Sequence, residues 1–292
     1  MLRIPLKNNH VLVPSFEELR SYLDALVERY EEPSFIAEDP LGIPHGFDDP
    51  RDQAVIGLYA ALLAWGRRTT VINKMEALCE RMNYRPHAFV ADFDPARDAD
   101  ALDGFKHRTF QPVDALWFTR NLSDAIDRHG SIENIFADHL PDDPAHPYPM
   151  GPAIQGFSTT LLRINPGTPQ RLRKHLARPE AKSACKRLNM YLRWMVRPGP
   201  VDLGMWTRIR PEQLMVPLDV HVGRQARALG FIERKSNDWK AVRILTDACR
   251  RLCPDDPARY DFAFFPPGAQ DEPLDDAFTG DSAVPPSSWP TA

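Results

Sequence analysis

The chain has 292 residues, 43% of them hydrophobic, which suits one large or two small globular domains with a sizeable core. No run of about 18 apolar residues occurs, so the composition excludes a membrane-spanning helix. Residues 1–10 lack the hydrophobic core and small-residue cleavage site of a signal peptide, and we therefore expect a cytoplasmic protein. The net charge of −4 argues at first sight against binding to nucleic acid.

The four cysteines, Cys79, Cys185, Cys249 and Cys253, are too few and too widely spaced for a disulfide framework. Because we expect a reducing compartment, the sequence predicts four free thiols. Cys249 and Cys253 lie one helical turn apart and could supply half of a metal site, but no second close pair completes it. We therefore expect buried thiols, no metal and no other cofactor.

Apolar residues recur with helical periodicity along most of the chain, and capping residues, glycines and prolines mark helix ends. The predicted helices span approximately residues 15–30, 52–65, 70–82, 112–128, 131–140, 153–164, 170–177, 185–197, 220–229 and 238–252. The segment 52–65 is apolar on nearly all sides, which predicts a helix at the centre of the core. Because no strand pattern, internal repeat or glycine-rich phosphate loop is present, the sequence predicts an all-α fold.

Several polar residues and glycines are predicted to begin or end these helices through side-chain caps or a left-handed backbone. They are Ser15, Gly130, Ser131, Thr168, Gly230 and either Ser236 or Asn237. Between the helices we expect loops at residues 33–50, at the acidic stretch 92–103, and at the proline-rich stretch 141–152.

The two ends of the chain are predicted to lie outside the helical body. Residues 1–14 are expected to form an extended arm. Residues 266–292 are rich in proline and acidic residues and poor in apolar ones, so we expect a mostly disordered tail. Residues 1–265 would then form the helical domain, either as one body or as two helical lobes with the cleft between them.

The net charge hides a strongly basic segment. Between residues 161 and 210 there are twelve lysines and arginines and only two acidic residues, Glu180 and Asp202. The opposite charge is concentrated in residues 92–103 and 271–281. A run of charge is usually a solvated helix face, but this run coincides with the motifs described next, which favours contact with a phosphate backbone.

One motif is Val-Pro-Leu-Asp-Val-His-Val-Gly-Arg, residues 216–224. Pro217 fixes the approach of the chain, and Asp219 then occupies the N-cap position of the helix that ends at Gly230. First-turn amides and the positive end of the helix dipole would keep its carboxylate ionised. On these grounds alone, Asp219 is a helix cap and an anion.

The same motif resembles the Val-Asp-Thr-His-Val-x-Arg signature of the helix-hairpin-helix base-excision DNA glycosylases, in which the aspartate is catalytic. Together with Lys-Arg-Leu-Asn-Met-Tyr-Leu-Arg-Trp-Met-Val-Arg, residues 186–197, it is similar to a bacterial family of unassigned function that is distantly similar to those glycosylases. The resemblance covers roughly residues 53–265, and its specific part lies in the last third. The resemblance implies a multi-helix glycosylase-like fold. Its helix-hairpin-helix would be a modified one, because the Gly-x-Gly hairpin of the better-known members is missing. The four-cysteine iron-sulfur spacing of some members is also missing.

Lys186 is the candidate nucleophile. It falls in the first turn of its helix, where the dipole disfavours a positive charge, Arg187 adds like-charge repulsion, and a bound base would exclude water. These influences favour the neutral amine that a Schiff-base lysine needs. Asp219 would then stabilise the positive charge that develops on the sugar and help to move protons.

The resemblance also implies a set of residues that contact DNA. The turn at residues 66–70 matches a turn that enters the duplex beside the extruded base, and guanidinium groups there suit phosphates and bases. The DNA-binding residues predicted in this way are Arg67, Arg68, Lys182, Arg187, Arg193, His221 and Arg224.

By resemblance, Lys186 attacks C1′ of a flipped-out nucleotide, releases a damaged base and leaves an imine that can eliminate the 3′ phosphate. This describes a bifunctional DNA glycosylase with AP lyase activity in base-excision repair. The number of residues between Lys186 and Asp219 is similar to that between the matching residues in an archaeal branch of the glycosylases that acts on 8-oxoguanine. This similarity favours an oxidised purine as the substrate. We expect a monomer whose partner is damaged duplex or single-stranded DNA, without a membrane partner, and associated with the nucleoid.

Two other functions remain open. One is a non-catalytic nucleic-acid-binding protein on the same fold, and the other is a monofunctional glycosylase in which Asp219 activates water and Lys186 binds phosphate. Lys186 could also simply face solvent, and His221 and Arg224 could be structural. Trp194, Met195 and Trp239 are expected in the core, although one aromatic could stack on a flipped base.

Overall fold

The computed structural model describes residues 14–290, apart from the side chain of Glu38. Within this range the chain is all-α, as predicted, and it contains no β-strand; two isolated bridges join His107 to Phe110 and Ser183 to Asp238. The predicted extended arm lies outside the described residues, except for residue 14. The α-helices are α1 (Phe16–Tyr30), α2 (Gly42–His45), α3 (Pro50–Leu63), α4 (Arg68–Arg81), α5 (Pro86–Ala91), α6 (Pro95–Leu102), α7 (Pro112–His129), α8 (Ile132–Ala137), α9 (Met150–Arg163), α10 (Lys186–Val196), α11 (Val220–Ala228), α12 (Trp239–Leu252) and α13 (Asp261–Ala269).

The centre of the core is α3, as its apolar sequence predicted. Every residue from Ala54 to Leu63 is buried, because α2, α4, α5 and α10 pack around this helix. Its Gly57 permits a close approach of α10, since a Cβ at this position would lie 2.9 Å from Cε of Met195. The helix that carries Lys186 is therefore seated directly on the core helix.

Most of the helices with strong periodicity begin and end within a few residues of the predicted positions. Several predicted caps are also present. Ser15 and Glu18 form the expected capping box, Ser131 caps α8, and Gly130 ends α7 with a φ of 84°. The N-cap of α12 was predicted at Ser236 or Asn237, but the cap is Asp238, which accepts a hydrogen bond from the amide of Ala241.

Three predicted loops or helices differ from the structure. Residues 33–50 contain a 3₁₀ turn, Pro33–Glu38, followed by α2. The stretch 92–103 contains α6, which begins with the cap Asp94 followed by a proline; this strong start signal outweighs the acidic composition. The helix expected over residues 170–177 is a 3₁₀ turn, Gln170–Lys174, because the Thr168 hydroxyl donates to the carbonyl of Asn165 instead of capping.

The prediction of a disordered tail was wrong for residues 266–290. Residues 261–269 form α13, and its neighbours are α1 and α11. Beyond it, Leu274, Val284 and Trp289 are all buried. The Trp289 ring lies 5.3 Å from the ring of Phe16 and 5.0 Å from that of Phe231, measured between centroids. A few well-placed apolar residues therefore suffice to hold an acidic, proline-rich segment against the body.

We expect Trp289→Ala to lower the free energy of unfolding by about 3–5 kcal/mol, because the ring is lost from a packed site and a cavity remains. Urea denaturation followed by far-UV circular dichroism measures the change. Ser287→Ala, at an exposed neighbouring position, is the control and should stay within about 0.5 kcal/mol of wild type. Equal stability of both variants would mean that the segment does not dock.

Arg193 is buried among carboxylates, contrary to the prediction that it contacts DNA. Its side chain is 3% exposed, its Nε lies 3.2 Å from an Asp202 oxygen, and its Nη1 donates to Asp261. Its guanidinium also lies 4.4 Å from the centroid of the Phe262 ring. The prediction was wrong because a basic segment of sequence shows that its residues are positively charged but does not show which of them are buried.

Arg197, the C-cap residue of α10 one turn beyond Arg193, extends the same network. Its Nη1 lies 2.5 Å from Asp202 and 3.0 Å from Glu31, and its Nε lies 2.9 Å from Asp256. The two arginines therefore connect α10 to the end of α1, to the chain after α10 and to the start of α13. Buried charges are stable only when they are paired in this way.

We expect Arg193→Met to lower the free energy of unfolding by about 3–5 kcal/mol, because Asp202 and Asp261 would lose a buried counterion. Chemical denaturation measures this value. Arg210→Met removes an arginine whose partner, Glu212, is exposed, and should cost less than about 1 kcal/mol. Similar small costs for both variants would contradict a structural role of the buried network.

Candidate active site

The first turn of α10 and the N-cap of α11 bring Lys186 and Asp219 together. Nζ of Lys186 lies 3.8 Å from Oδ2 of Asp219, and the side chains are 22% and 20% exposed. Among the described residues, this is the only carboxylate within 4.0 Å of that amine. The two residues singled out as catalytic in the sequence therefore share one site, which solvent can reach.

The two oxygens of Asp219 have different roles. Oδ1 accepts hydrogen bonds from the amides of His221 and Val222, at 2.9 and 3.0 Å, which confirms the predicted cap. Oδ2 faces Lys186. Asn237 donates to the carbonyl of Asp219 at 2.7 Å and fixes its backbone. Because the cap holds one oxygen, the other keeps a defined direction towards the amine.

Lys186 is surrounded by soft and aromatic groups apart from Asp219. Its Nζ lies 3.2 Å from Sδ of Met190 and 5.3 Å from the centroid of the Phe265 ring. The position of Phe265 is set by α13, which the sequence had left outside the helices. A cation is attracted to the face of such a ring, so Phe265 helps to hold the side chain in place.

A pocket of about 110 Å³ opens beside Lys186. Apolar and aromatic side chains make up much of its wall, and a few charged groups converge on it, which is the usual composition of a small-molecule site. Its side-chain lining includes Phe35, Val71, Met190, Trp194, Phe265, Asp39, Arg68, Lys186, Arg193 and Asp261.

Two of these lining residues, Asp39 and Asp261, are buried carboxyl groups that the sequence analysis missed. Burial raises the pKa of Asp39, although the amide of Leu41 donates to its Oδ1 at 3.0 Å. Burial also raises the pKa of Asp261 to about 6, against the opposing effect of Arg193. Oδ1 of Asp261 has no hydrogen-bond partner among the described residues. Perturbed carboxyl groups in a cleft are typical of functional sites.

The sequence held one signal for Asp261 and none for Asp39. Asp261 stands alone in a run of aromatic residues, residues 260–265, where an acidic side chain is forced into the core together with its neighbours. Asp39 lies in a loop-like stretch and is buried only by the tertiary fold.

The predicted DNA-binding residues fall into different environments. Arg67 and Lys182 are exposed, and Arg68 lines the pocket. Arg187 does not face solvent freely: it donates to the carbonyl of Leu62 and lies 4.5 Å from the Trp65 ring centroid, and burial lowers its pKa to about 10.

His221 and Arg224 both join α11 to the end of α13. Nδ1 of His221 lies 3.0 Å from the carbonyl oxygen of Gly268, and Arg224 donates to the same oxygen. Arg224 also pairs with Asp271 at 2.7 Å. These contacts give both residues a structural role, which was one of the alternatives for them.

The chain that leads into α10 has the backbone of a tight hairpin. It contains a 3₁₀ turn, Pro179–Ala181, and positive φ angles of 60° at Lys182 and 51° at Cys185. The left-handed conformation that glycine adopts most readily is thus present without glycine. The α-helix predicted on the far side of this hairpin is the 3₁₀ turn described above.

The thiols are free, as predicted, and three of the four are buried; Cys253 is partly exposed. Within residues 14–290, no cluster of three or more His, Cys, Asp or Glu side chains could hold a metal ion.

Trp194 and Met195 are buried as expected, whereas Trp239 is partly exposed. None of the helices between residues 14 and 290 combines the length and apolar character needed to cross a membrane.

The raised pKa of Asp261 predicts how stability depends on pH. Because the folded pKa of about 6 exceeds the unfolded value, this group stabilises the fold at low pH and loses that contribution as pH rises through about 6. Asp261→Asn cannot ionise. We expect wild type to lose on the order of 3 kcal/mol relative to this variant between about pH 4 and 7. Denaturation curves across this range test it, and parallel profiles would contradict it.

Comparison with known proteins gives one match. Residues 39–270 match the family described as Protein of unknown function (DUF2400). No curated protein matches the chain, and no solved structure does. The match covers well over half of the sequence and includes the pocket residues from Asp39 to Phe265, and the chain therefore belongs to the DUF2400 family.

Proposed function

We propose that this protein is a base-excision DNA glycosylase with AP lyase activity, in which Lys186 is the nucleophile and Asp219 is its carboxylate partner. The observation that carries the proposal is the 3.8 Å separation of Nζ and Oδ2. Lys186 and Asp219 belong to the two motifs that carry the family resemblance, and they come from the starts of two different helices, which could have lain far apart.

In the proposed reaction, the neutral amine of Lys186 forms a bond to C1′ as the glycosidic bond breaks. The bonding electrons leave with the base, which takes up a proton. Asp219 stabilises the positive charge on the sugar, and its Oδ2 is positioned to accept a proton from the attacking amine. Opening of the sugar gives an imine, and loss of a proton from C2′ then expels the 3′ phosphate.

The pocket beside Lys186 is the proposed site for the extruded base. Its aromatic walls suit stacking on a base, and Asp39, Asp261 and Arg68 offer hydrogen-bonding groups to a base edge. An oxidised purine carries additional donors and acceptors that such groups could bind. A carboxyl with a pKa of about 6 can accept or donate a hydrogen bond near neutral pH.

The hairpin before α10 is proposed to act as the modified helix-hairpin-helix of the glycosylase-like fold. Positive φ angles at Lys182 and Cys185 support this, because they turn the backbone without the missing glycines. Exposed Lys182 is then a candidate for contact with a phosphate, whereas Arg193 is not proposed for that role.

We expect wild-type protein to form a borohydride-trapped adduct with a labelled duplex that carries one damaged base, tested across oxidised and deaminated bases. Lys186→Gln should abolish the adduct. Asp219→Asn should slow base release by about 10²–10³-fold, a size typical for loss of a stabilising group in an active site. Asparagine is also a good N-cap, so this variant should keep α11 intact.

Lys235→Gln, which changes an exposed lysine, is the matched control and should leave trapping unchanged. Base release without any adduct would contradict the lyase step and support the monofunctional mechanism. Binding without release or adduct on every duplex would contradict catalysis and support a nucleic-acid-binding protein.

A further inference from the structure

Two adjoining depressions form a second concave surface, which we name the α9–α12 groove. The first has a volume of about 1010 Å³ and follows α9, and the second, of about 440 Å³, follows the start of α12. They meet at Pro179 and Trp239, which line both. Neither shares a lining residue with the pocket beside Lys186.

The α9–α12 groove carries an excess of positive charge. Arg128 and Arg163 line its first part, and Lys182, Lys240 and Arg243 line its second part. All five residues are exposed, and in the described part of the chain no salt bridge involves any of them. Cations that the fold leaves without a counterion are available to an anionic partner.

The acidic residues of the groove are fewer, and two of them are already engaged. Asp238 binds Arg234, and Asp247 accepts from the Tyr148 hydroxyl at 2.5 Å and lies 3.6 Å from Arg250. Glu180 is the remaining acid. The groove therefore favours a polyanion over a cation.

Aromatic rings lie between and beside the cations. Trp239 is partly exposed at the junction, and its ring approaches α9 closely because Gly151 has no side chain; a Cβ there would lie 3.3 Å from Cζ2. In the second part, Arg243 lies 4.0 Å from the Tyr148 ring centroid. A basic groove with aromatic platforms is the usual arrangement for holding a nucleic-acid strand.

We infer that the α9–α12 groove binds one strand of nucleic acid, with phosphates at both basic ends and a base against Trp239. The 14 residues of α9 span about 21 Å, which is long enough for a strand of several nucleotides to follow. The identity of the polymer rests on the proposed function. The groove reaches the hairpin at Lys182, directly before α10, so the strand can continue towards Lys186.

The test is the salt dependence of binding to a fluorescein-labelled single-stranded oligonucleotide of about 15 nucleotides, measured by anisotropy. Each lost phosphate contact lowers the magnitude of the slope of log K against log salt by about 0.7 for a single strand. We expect the pair Arg128→Gln and Arg163→Gln to reduce it by about 1.4, and the pair Lys240→Gln and Arg243→Gln to do the same.

The control pair, Arg20→Gln and Arg51→Gln, removes the same charge from exposed positions outside the groove and should leave the slope near wild type. The inference would be overturned if the slope fell as much in the control pair as in the groove pairs, or if it did not fall in either groove pair. Equal displacement of the oligonucleotide by poly-glutamate of matched charge would also overturn it, in favour of an acidic peptide.

The outcome is separable from that of the proposed chemistry. The salt slope reports binding alone, whereas the trapped adduct reports the chemistry at Lys186, which does not line the groove. Reduced slopes in the groove variants without any trapped adduct would support the groove and contradict the glycosylase. Trapped adducts together with unchanged slopes in the groove variants would support the glycosylase and contradict binding in the groove.

Discussion

The buried pairing of Arg193 and Arg197 with four carboxylates is the interaction on which the rest of the structure depends. These contacts join α10 to α1, to the segment that follows α10, and to the start of α13. Because Arg193, Arg197, Asp202 and Asp261 are buried and would be costly to leave unpaired, these contacts favour the arrangement in which the helices meet. The same arrangement sets Asp261 and Phe265 in the wall of the pocket beside Lys186.

Local structure then refines the site within that frame. Asp219 is directed by its own helix, because the amides of His221 and Val222 hold Oδ1 and leave Oδ2 for the lysine. Lys186 is directed by Phe265 and Met190. An arrangement of this kind allows a lysine–carboxylate pair to form from two helix starts, where neither residue needs an unusual backbone of its own.

The sequence predicted those parts of the structure that depend on local chemistry. The periodicity of α3 predicted its place in the core, and the residues around Asp219 predicted its cap, whereas its closeness to Lys186 was implied only by the resemblance to the glycosylases. Burial by distant partners could not be predicted in this way. Arg193 has the same appearance in the sequence as an exposed arginine, and Asp39 has that of a loop residue. Trp289 docks because Phe16 and Phe231, far away in the chain, provide its site. The glycosylase-like function remains a prediction that the geometry supports.

The composition of the pocket wall has a consequence for synthesis on the ribosome. Lys186 emerges well before Asp261 and Phe265, which follow it by about 75 residues, an interval on the order of 4–15 s at synthesis rates of about 5–20 residues per second. During that time α10 can pack on α3, but the lysine has neither its aromatic neighbour nor the buried carboxyl group. The pocket is therefore completed late in translation, and a nascent chain that stalls before α13 presents an amine without a finished site.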